Sequence, residues 1–234
     1  MKPNQFIHRI AKELVQAMPL AQFEGEVIVI DRPEQVEDAA QYLSQQKTLG
    51  IDTESRPSFT RGTHYPTALL QVATPDRCYL FRLTHVGMPQ VIADIFANKD
   101  ICKVGLAFKD DIHGLRRRRD FTPRNCIDLQ SIVRKYGILD LSLQKIFAIC
   151  FGKKISKAQQ LTNWENSTLT SEQQHYASTD AWATLLIYNE LMATAPLPKK
   201  EADALYQAEL EKMQLHQQEV LAAREAEQAK QHKS

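Results

Sequence analysis

The segment at residues 49–55 reads LGIDTES, a short apolar run that ends in two carboxylates. The run from Leu49 to Ile51 predicts a buried strand. Because residues i and i+2 of a strand lie on one face, Asp52 and Glu54 would point the same way. Two like charges a few ångströms apart destabilise a fold unless a cation neutralises them. The segment therefore predicts a strand that carries part of a site for a hard metal ion.

Composition places the chain among ordinary globular proteins. Of its 234 residues 43% are hydrophobic and 24% are charged, which suits one large domain with an appendage. The net charge of +1 excludes a global basic field, so any surface for nucleic acid must be local. The apolar runs are too short to span a membrane, and the N-terminus has no secretory apolar segment. We therefore expect a cytoplasmic protein without membrane contact.

The four cysteines do not form a metal-binding pattern. Cys78, Cys102, Cys126 and Cys150 include no CxxC pair, so the sequence does not predict a zinc site. Each lies among apolar residues. We expect reduced thiols in or near the core.

Strand signals dominate the first half of the domain and helix signals the second. The predicted strands lie at 25–31, 47–54, 67–75, 77–83 and 101–108. The predicted helices lie at 33–46, 88–100, 110–119, 127–137, 142–152 and 170–192. The strands at 67–75 and 77–83 would form a hairpin. Strands followed by helices, with a mixed sheet, predict a three-layer α/β domain.

Three regions divide the chain. Residues 1–24 carry apolar side chains at helical spacing and predict an N-terminal helical extension. The main domain would cover 25–198, where two prolines close it. Residues 199–234 lack Gly and Pro, and their weak apolar stripe favours a charged, solvated helical tail. Binding of a partner by this tail, or a coiled coil, remains an alternative. The oligomeric state is not indicated.

A second cluster of oxygen ligands is predicted on the last helix of the main domain. Thr170 and Gln173 fit a capping box, so Tyr176 and Asp180 would lie at i and i+4 on one face. Next to the two strand carboxylates they would make an oxygen-rich pocket suited to Mg²⁺ or Mn²⁺. Pockets of this kind hold two ions about 3.5–4 Å apart and stabilise an in-line phosphoryl displacement.

Three segments together resemble a known family. The DTE at 52–54, the segment KVGLAFKDDIHGL at 103–115 with Asp111, and YASTD at 176–180 are similar to the three exonuclease motifs of the DEDD superfamily, in its tyrosine (YxxxD) subclass. The resemblance covers roughly residues 25–195 and is to the ribonuclease D and Werner-syndrome exonuclease-like group. It implies a ribonuclease H-like fold with a mixed central sheet, and an exonuclease domain at 25–198.

The resemblance also implies roles for five residues. Asp52, Glu54 and Asp180 would ligate the metal that activates a water. Asp52 would bridge to a second metal, to which Asp111 contributes, and Tyr176 would orient the water. With two Mg²⁺ or Mn²⁺ ions the enzyme would release nucleoside 5′-monophosphates from the 3′ end of DNA or RNA. The alternative is a nucleic-acid-binding scaffold with this fold and no catalysis.

Two adjacent pairs of residues compete for these roles. Members of the family that the chain resembles commonly have a glycine before the second-motif acid, and by this resemblance the count from Gly105 selects Asp111 over Asp110. Asp110 would then be an N-cap or an acid in the first turn of a helix. His175 lies about 100° around the helix from Tyr176, so it leaves the face of the third-motif acid. Tyr176 is therefore preferred over His175.

Basic and aromatic residues near the motifs are candidates for binding nucleic acid. Arg56, Phe59 and Arg61 follow the first motif on a predicted loop, and Phe59 either stacks on terminal bases or packs at the domain edge. Arg116 begins the arginine run 116–119, which either holds the phosphate backbone or forms a solvated face. No motif reports contacts to the 2′-hydroxyl, so RNA and DNA both remain open.

Overall fold

A single mixed sheet organises the protein. The computed structural model describes residues 1–60 and 62–231. The six strands of the sheet are β1 (Glu26–Ile30), β2 (Thr48–Ser55), β3 (Thr67–Ala73), β4 (Arg77–Arg82), β5 (Cys102–Gly105) and β6 (Cys126–Asp128). Their order across the sheet is β1-β4-β3-β2-β5-β6. The β2–β3 and β3–β4 pairs are antiparallel, and the other pairs are parallel.

Helices cover both faces of this sheet. The α-helices of the described residues are α1 (Lys12–Ala17), α2 (Val36–Ser44), α3 (Leu83–Val86), α4 (Gln90–Ala97), α5 (Phe108–Arg118), α6 (Leu129–Ile132), α7 (Leu143–Phe151), α8 (Ser171–Ala193) and α9 (Lys199–Gln231). Residues of α2, α4 and α5 form one core with the sheet, and residues of α6, α7 and α8 form the opposite cores. This arrangement confirms the predicted three-layer α/β domain.

A glycine lets α8 approach β2 closely. A Cβ atom on Gly50 would overlap the carbonyl oxygen of Ala181 and lie 2.9 Å from the Cβ of Leu185. Leu49 and Ile51 point to the other face, where they are fully buried in the core with α2 and α4. Since side chains alternate along a strand, Gly50, Asp52 and Glu54 share the face that α8 covers.

The predicted capping box fixes the start of α8. The Thr170 hydroxyl accepts a hydrogen bond from the Gln173 backbone N–H at 3.2 Å. The Gln173 side chain in turn accepts one from the Thr170 backbone N–H at 3.1 Å. The prediction of this helix start is confirmed, and it sets which residues of α8 face the sheet.

Two predicted helices differ from the structure. The segment 127–137 is not one helix, because Ile127 pairs with Val104 and extends the sheet as β6 before α6 begins. Near the N-terminus, only Lys12–Ala17 is helical within the predicted extension. The preceding residues are held against the main domain by backbone bonds, such as Lys2 N–H to the Ala193 oxygen at 2.7 Å.

The tail forms the predicted helix and begins against the domain. The guanidinium of Arg134 lies 4.0 Å from the ring centroid of Tyr206, and Arg9 pairs with Glu209 at 2.7 Å. Beyond these contacts Met213, Leu215 and Val220 are exposed. The boundaries of the three regions and a partner for the tail remain predictions. Within 1–60 and 62–231, no helix has the length and apolarity needed to cross a membrane.

Substitution of Gly50 tests the close contact between β2 and α8. We expect Gly50→Ala to lower the free energy of unfolding by about 1–3 kcal/mol, because the added methyl group meets the α8 backbone rather than a flexible side chain. Urea denaturation measures this change, with the exposed Ser44→Ala variant as control. Equal stability of Gly50→Ala and wild type would show that the two elements are not in contact.

Candidate active site

Three carboxylates from two elements converge at the end of β2. Asp52 and Glu54 come from the strand and Asp180 from α8, and one oxygen of each lies within 4.8 Å of the others. Asp180 is buried, and the two strand acids are half-buried. The common face predicted from strand periodicity, together with the close approach of α8 at Gly50, accounts for this convergence.

Asp111 and Tyr176 join the same cluster. The hydroxyl of Thr53 donates a hydrogen bond to the Asp111 carboxylate, which links α5 to β2. The phenol of Tyr176, one turn before Asp180, is hydrogen-bonded to the Asp180 carboxylate. All five predicted catalytic residues are therefore brought together by β2, α5 and α8. We call Asp52, Glu54, Asp111 and Asp180 the acidic cluster.

An acid on β6 holds the helix that carries Asp111. Ala107, the N-cap of α5, has a left-handed backbone (φ 53°) and no side chain that could cap the helix. The Asp128 carboxylate takes over this function, accepting hydrogen bonds from the N–H groups of Ala107 at 3.1 Å and Phe108 at 3.0 Å. Asp110 is exposed in the first turn of α5, and it takes no part in the hydrogen bond between Thr53 and Asp111.

Burial and mutual repulsion make the acidic cluster hard to ionise. Burial, and then the charges of its three acidic neighbours, raise the pKa of Asp52 well above its ordinary value. Burial, and then the charges of Asp180 and Asp111, raise the pKa of Glu54 to about 9. Burial also raises the pKa of Asp111 and that of Asp180 to about 7, against the opposing hydrogen bonds from Thr53 and Tyr176. A bound cation would offset this cost.

The acidic cluster opens into a cleft of about 490 Å³. Asp52, Glu54, Tyr176 and Asp180 line one side of this cleft. The segment that connects α7 to α8 contributes Lys157, whose charge lowers the pKa of Asp180. Sequence reasoning gave no ground to prefer Lys157 over its neighbouring lysines, since its position depends on how this segment folds back over the site.

The loop after β2 forms an aromatic and cationic surface. Arg56 lies 4.9 Å from the ring centroid of Tyr65 and pairs with Glu165 at 3.7 Å. Phe59 is 85% exposed, and with Leu161 it lines a shallow recess of about 350 Å³. The packing alternative for Phe59 is therefore wrong. Arg61 lies outside the described residues.

The arginine run divides between structural and exposed roles. Arg118 donates to the backbone oxygens of Thr67 at 2.6 Å and Leu83 at 3.0 Å, and Arg119 donates to that of Met88 at 2.6 Å. These two side chains hold neighbouring segments together.

Arg116 and Arg117 point elsewhere. Arg116 forms an exposed pair with Asp120 at 2.8 Å. Arg117 lines a second cleft of about 580 Å³, which also contains Thr53, Tyr65 and Asp111. This second cleft therefore borders the acidic cluster on one side and the loop after β2 on the other.

His175 takes a position apart from the acidic cluster. Its Nδ1 atom lies 2.7 Å from the Ser171 carbonyl oxygen, one turn earlier in α8, and the side chain is exposed. The Tyr176 side chain is buried and faces the carboxylates. The geometry therefore agrees with the preference for Tyr176.

The donor set suits a hard divalent ion. Among the described residues, the group of close ligand atoms consists of the carboxylates of Asp52, Glu54 and Asp180, without a thiol or imidazole. Asp111 adds a fourth carboxylate, and oxygen atoms are the ligands that Mg²⁺ and Mn²⁺ prefer. The raised pKa values fit the same conclusion, because a metal ion converts the repulsion among the acids into attraction to a common centre.

Known proteins share both the sequence pattern and the fold. The pattern of the 3′–5′ exonuclease family matches residues 27–195. The chain is 29% identical to the bifunctional 3′–5′ exonuclease/ATP-dependent helicase WRN of Mus musculus over 184 residues, which are 74% of this chain and 13% of that protein. It is 29% identical to the human exonuclease 3′–5′ domain-containing protein 2 over 189 residues, 74% of this chain and 30% of that protein. The chain thus spans less than a third of either relative.

Solved structures agree in fold. The EXO domain of Nibbler from Aedes aegypti superposes with a TM-score of 0.68 and 22% identity, covering 79% of this chain and 99% of that domain. Escherichia coli RNase D superposes with a TM-score of 0.66 and 20% identity, covering 81% and 50%. These likenesses confirm the predicted fold class, and the match over residues 27–195 shows that the chain belongs to the 3′–5′ exonuclease family.

Proposed function

We propose that the protein is a metal-dependent 3′–5′ exonuclease of the tyrosine subclass, which releases nucleoside 5′-monophosphates from the 3′ end of DNA or RNA. The observation that carries the proposal is the convergence of Asp52, Glu54 and Asp180 within 4.8 Å, beside Asp111 and Tyr176. Membership of the exonuclease family supports the same reaction. The catalytic domain would be residues 25–198.

The acidic cluster would hold two Mg²⁺ or Mn²⁺ ions. Asp52, Glu54 and Asp180 would bind one ion, and Asp52 and Asp111 the other. Ions bound there would supply an activated water and stabilise the leaving oxygen in an in-line displacement. The backbones of β2, α5 and α8 carry the four carboxylates that would hold these ions.

Tyr176 would position the attacking water. Burial, and then the negative charges of Asp180 and Glu54, raise the pKa of its phenol, so the group stays protonated at neutral pH. A protonated phenol donates one hydrogen bond and accepts others. Anchored to Asp180, it can hold a water at a fixed distance from the scissile phosphate.

The nucleic acid would reach the acidic cluster across the loop after β2. Exposed Phe59 offers a face on which a base can stack, and Arg56 with Tyr65 forms an adjoining planar surface. The second cleft, with Arg117, continues this surface to Asp111. Exposed Arg116 would contact the phosphate backbone from the rim, and Arg61 from the same loop is proposed on sequence alone.

Removal of one metal ligand should abolish activity without unfolding the protein. We expect Asp52→Asn to lower the rate of 3′-end degradation by about 10⁴-fold, while its fold persists because one repelling charge is removed. Matched 5′-labelled RNA and DNA, single- and double-stranded, with Mg²⁺ or Mn²⁺, measure the rate and identify the substrate. Asp100→Asn, exposed and remote from the acidic cluster, is the control. Absence of degradation by wild type on all substrates would favour the non-catalytic scaffold.

Substitution of Tyr176 should lower the rate of degradation and leave the affinity for the metal ion unchanged. We expect Tyr176→Phe to lower kcat by about 10²- to 10³-fold and to leave Mn²⁺ affinity unchanged, since the phenol orients water rather than binding the ion. His175→Phe, at the adjacent exposed position, should keep the wild-type rate. Single-turnover degradation and calorimetric titration separate the two properties. A wild-type rate for Tyr176→Phe, with loss in His175→Phe, would reverse the assignment.

Metal-free protein should lose stability as pH rises. The folded pKa values of Glu54, Asp111 and Asp180 lie above their unfolded values near 4, so their protons stabilise the fold at low pH. That stability falls as pH rises above about 4, and it is fully lost above about 7 for Asp111 and Asp180 and above about 9 for Glu54. We expect the thermal midpoint in chelator to fall across this window, less steeply in Glu54→Gln, and Mn²⁺ to restore it at high pH. Identical pH profiles for wild type and Glu54→Gln would contradict the account.

A further inference from the structure

A buried carboxamide lies beside the acidic cluster. Gln71 is in the middle of β3, 0% exposed, and its Cα atom pairs with that of Asp52 in the antiparallel β2–β3 ladder. Side chains of directly paired residues point to the same face of a sheet, with Cβ atoms about 4.5–5.5 Å apart. The carboxamide therefore lies next to Asp52, on the face that α8 covers.

Gln71 has no hydrogen-bond partner from the described residues. Both its Nε2 and its Oε1 atoms are buried and unpaired. Buried polar groups in folded proteins are nearly always paired, so such a side chain requires an explanation. By contrast, the buried carboxamide of Gln173 on α8 has partners at both ends, Thr162 and Thr170.

Among the residues directly paired with Gln71, Asp52 is the polar one. On the other side of Gln71 the β4 ladder places Leu80, and along β3 the residues on the same face are Leu69 and Ala73. All three are buried apolar side chains. The directly paired position on β2 therefore offers the carboxamide a carboxylate, whereas the paired position on β4 offers only the apolar side chain of Leu80.

We propose that Gln71 is a positioning residue of the metal site, whose Nε2–H donates to the Asp52 carboxylate when ions are bound. This inference rests on the proposed metal site. A carboxylate offers about four lone-pair positions, so Asp52 can bind two ions, accept from the Thr53 backbone N–H, and still accept from Gln71. Hydrogen-bond partners of this kind fix the orientation of metal-binding carboxylates.

The neutral charge of the carboxamide suits this role. A lysine or arginine beside Asp52 would also donate a hydrogen bond, but its charge would compete with the metal ions for the carboxylates. A glutamate would add a further acid to a cluster whose pKa values are already raised by burial and repulsion. Glutamine orients the ligand without changing the total charge of the acidic cluster.

Replacement of Gln71 by methionine distinguishes a role in orienting the Asp52 carboxylate from a role in filling the core. Methionine has a similar length and volume and is tolerated in cores. We expect the urea midpoint of metal-free Gln71→Met to equal or exceed that of wild type, because the unpaired amide is removed. The Mn²⁺ dissociation constant, measured by calorimetry, should rise by about 10- to 100-fold. A residue that only packs would lower the urea midpoint and leave Mn²⁺ affinity unchanged.

Controls make each outcome decisive. Gln71→Leu also removes the carboxamide, with a different apolar side chain, and should weaken Mn²⁺ binding as well. Thr194→Val removes a buried hydroxyl bonded to the Glu190 oxygen at 2.8 Å, away from the site, and should leave Mn²⁺ affinity at the wild-type value. If wild type binds Mn²⁺ and both Gln71 variants bind it within about twofold of wild type, Gln71 has no positioning role. If wild type binds no Mn²⁺, the proposed metal site itself is wrong, and the role of Gln71 with it.

Discussion

Mutual repulsion among buried carboxylates is the constraint on which the rest of this structure depends. Asp52, Glu54 and Asp180 are held within 4.8 Å of one another, and their burial raises each pKa. Such a cluster opposes folding unless protons or cations neutralise it. The fold nevertheless enforces it, through the absence of a side chain at Gly50 and the capping box that sets the face of α8. Divalent ions bound there would offset the unfavourable free energy of holding these carboxylates together.

Three neutral side chains lie beside the acidic cluster. Thr53 donates to Asp111, and Tyr176 is bonded to Asp180. Gln71 lies beside Asp52 with its carboxamide unpaired by the described residues. None of these groups adds charge, so the attraction of the acids for a cation is preserved while their geometry is restricted. In the proposed site, four acids would supply the charge, and hydroxyl, phenol and carboxamide groups would fix their positions.

Local patterns in the sequence predicted most of the acidic cluster, and long-range pairing explains what they missed. Strand periodicity predicted that Asp52 and Glu54 share one face of β2, and the capping box predicted that Tyr176 and Asp180 share one face of α8. The three-residue strand β6 is too short to give a periodic signal, and it exists because it pairs with β5. The position of Gln71 depends likewise on the β2–β3 register, which includes an irregularity after Glu54. The position of Lys157 in the cleft and the backbone contacts of Arg118 likewise depend on how segments distant in sequence fold over the sheet.

The central claim, that the acidic cluster is a site for two divalent ions, is tested most directly by a crystal structure of the protein grown with Mn²⁺. Anomalous scattering locates manganese without assumptions about activity. The account predicts two peaks about 3.5–4 Å apart, one bound by Asp52, Glu54 and Asp180 and the other beside Asp52 and Asp111. Absence of any peak at these four carboxylates under saturating Mn²⁺, or peaks only elsewhere on the surface, would contradict it.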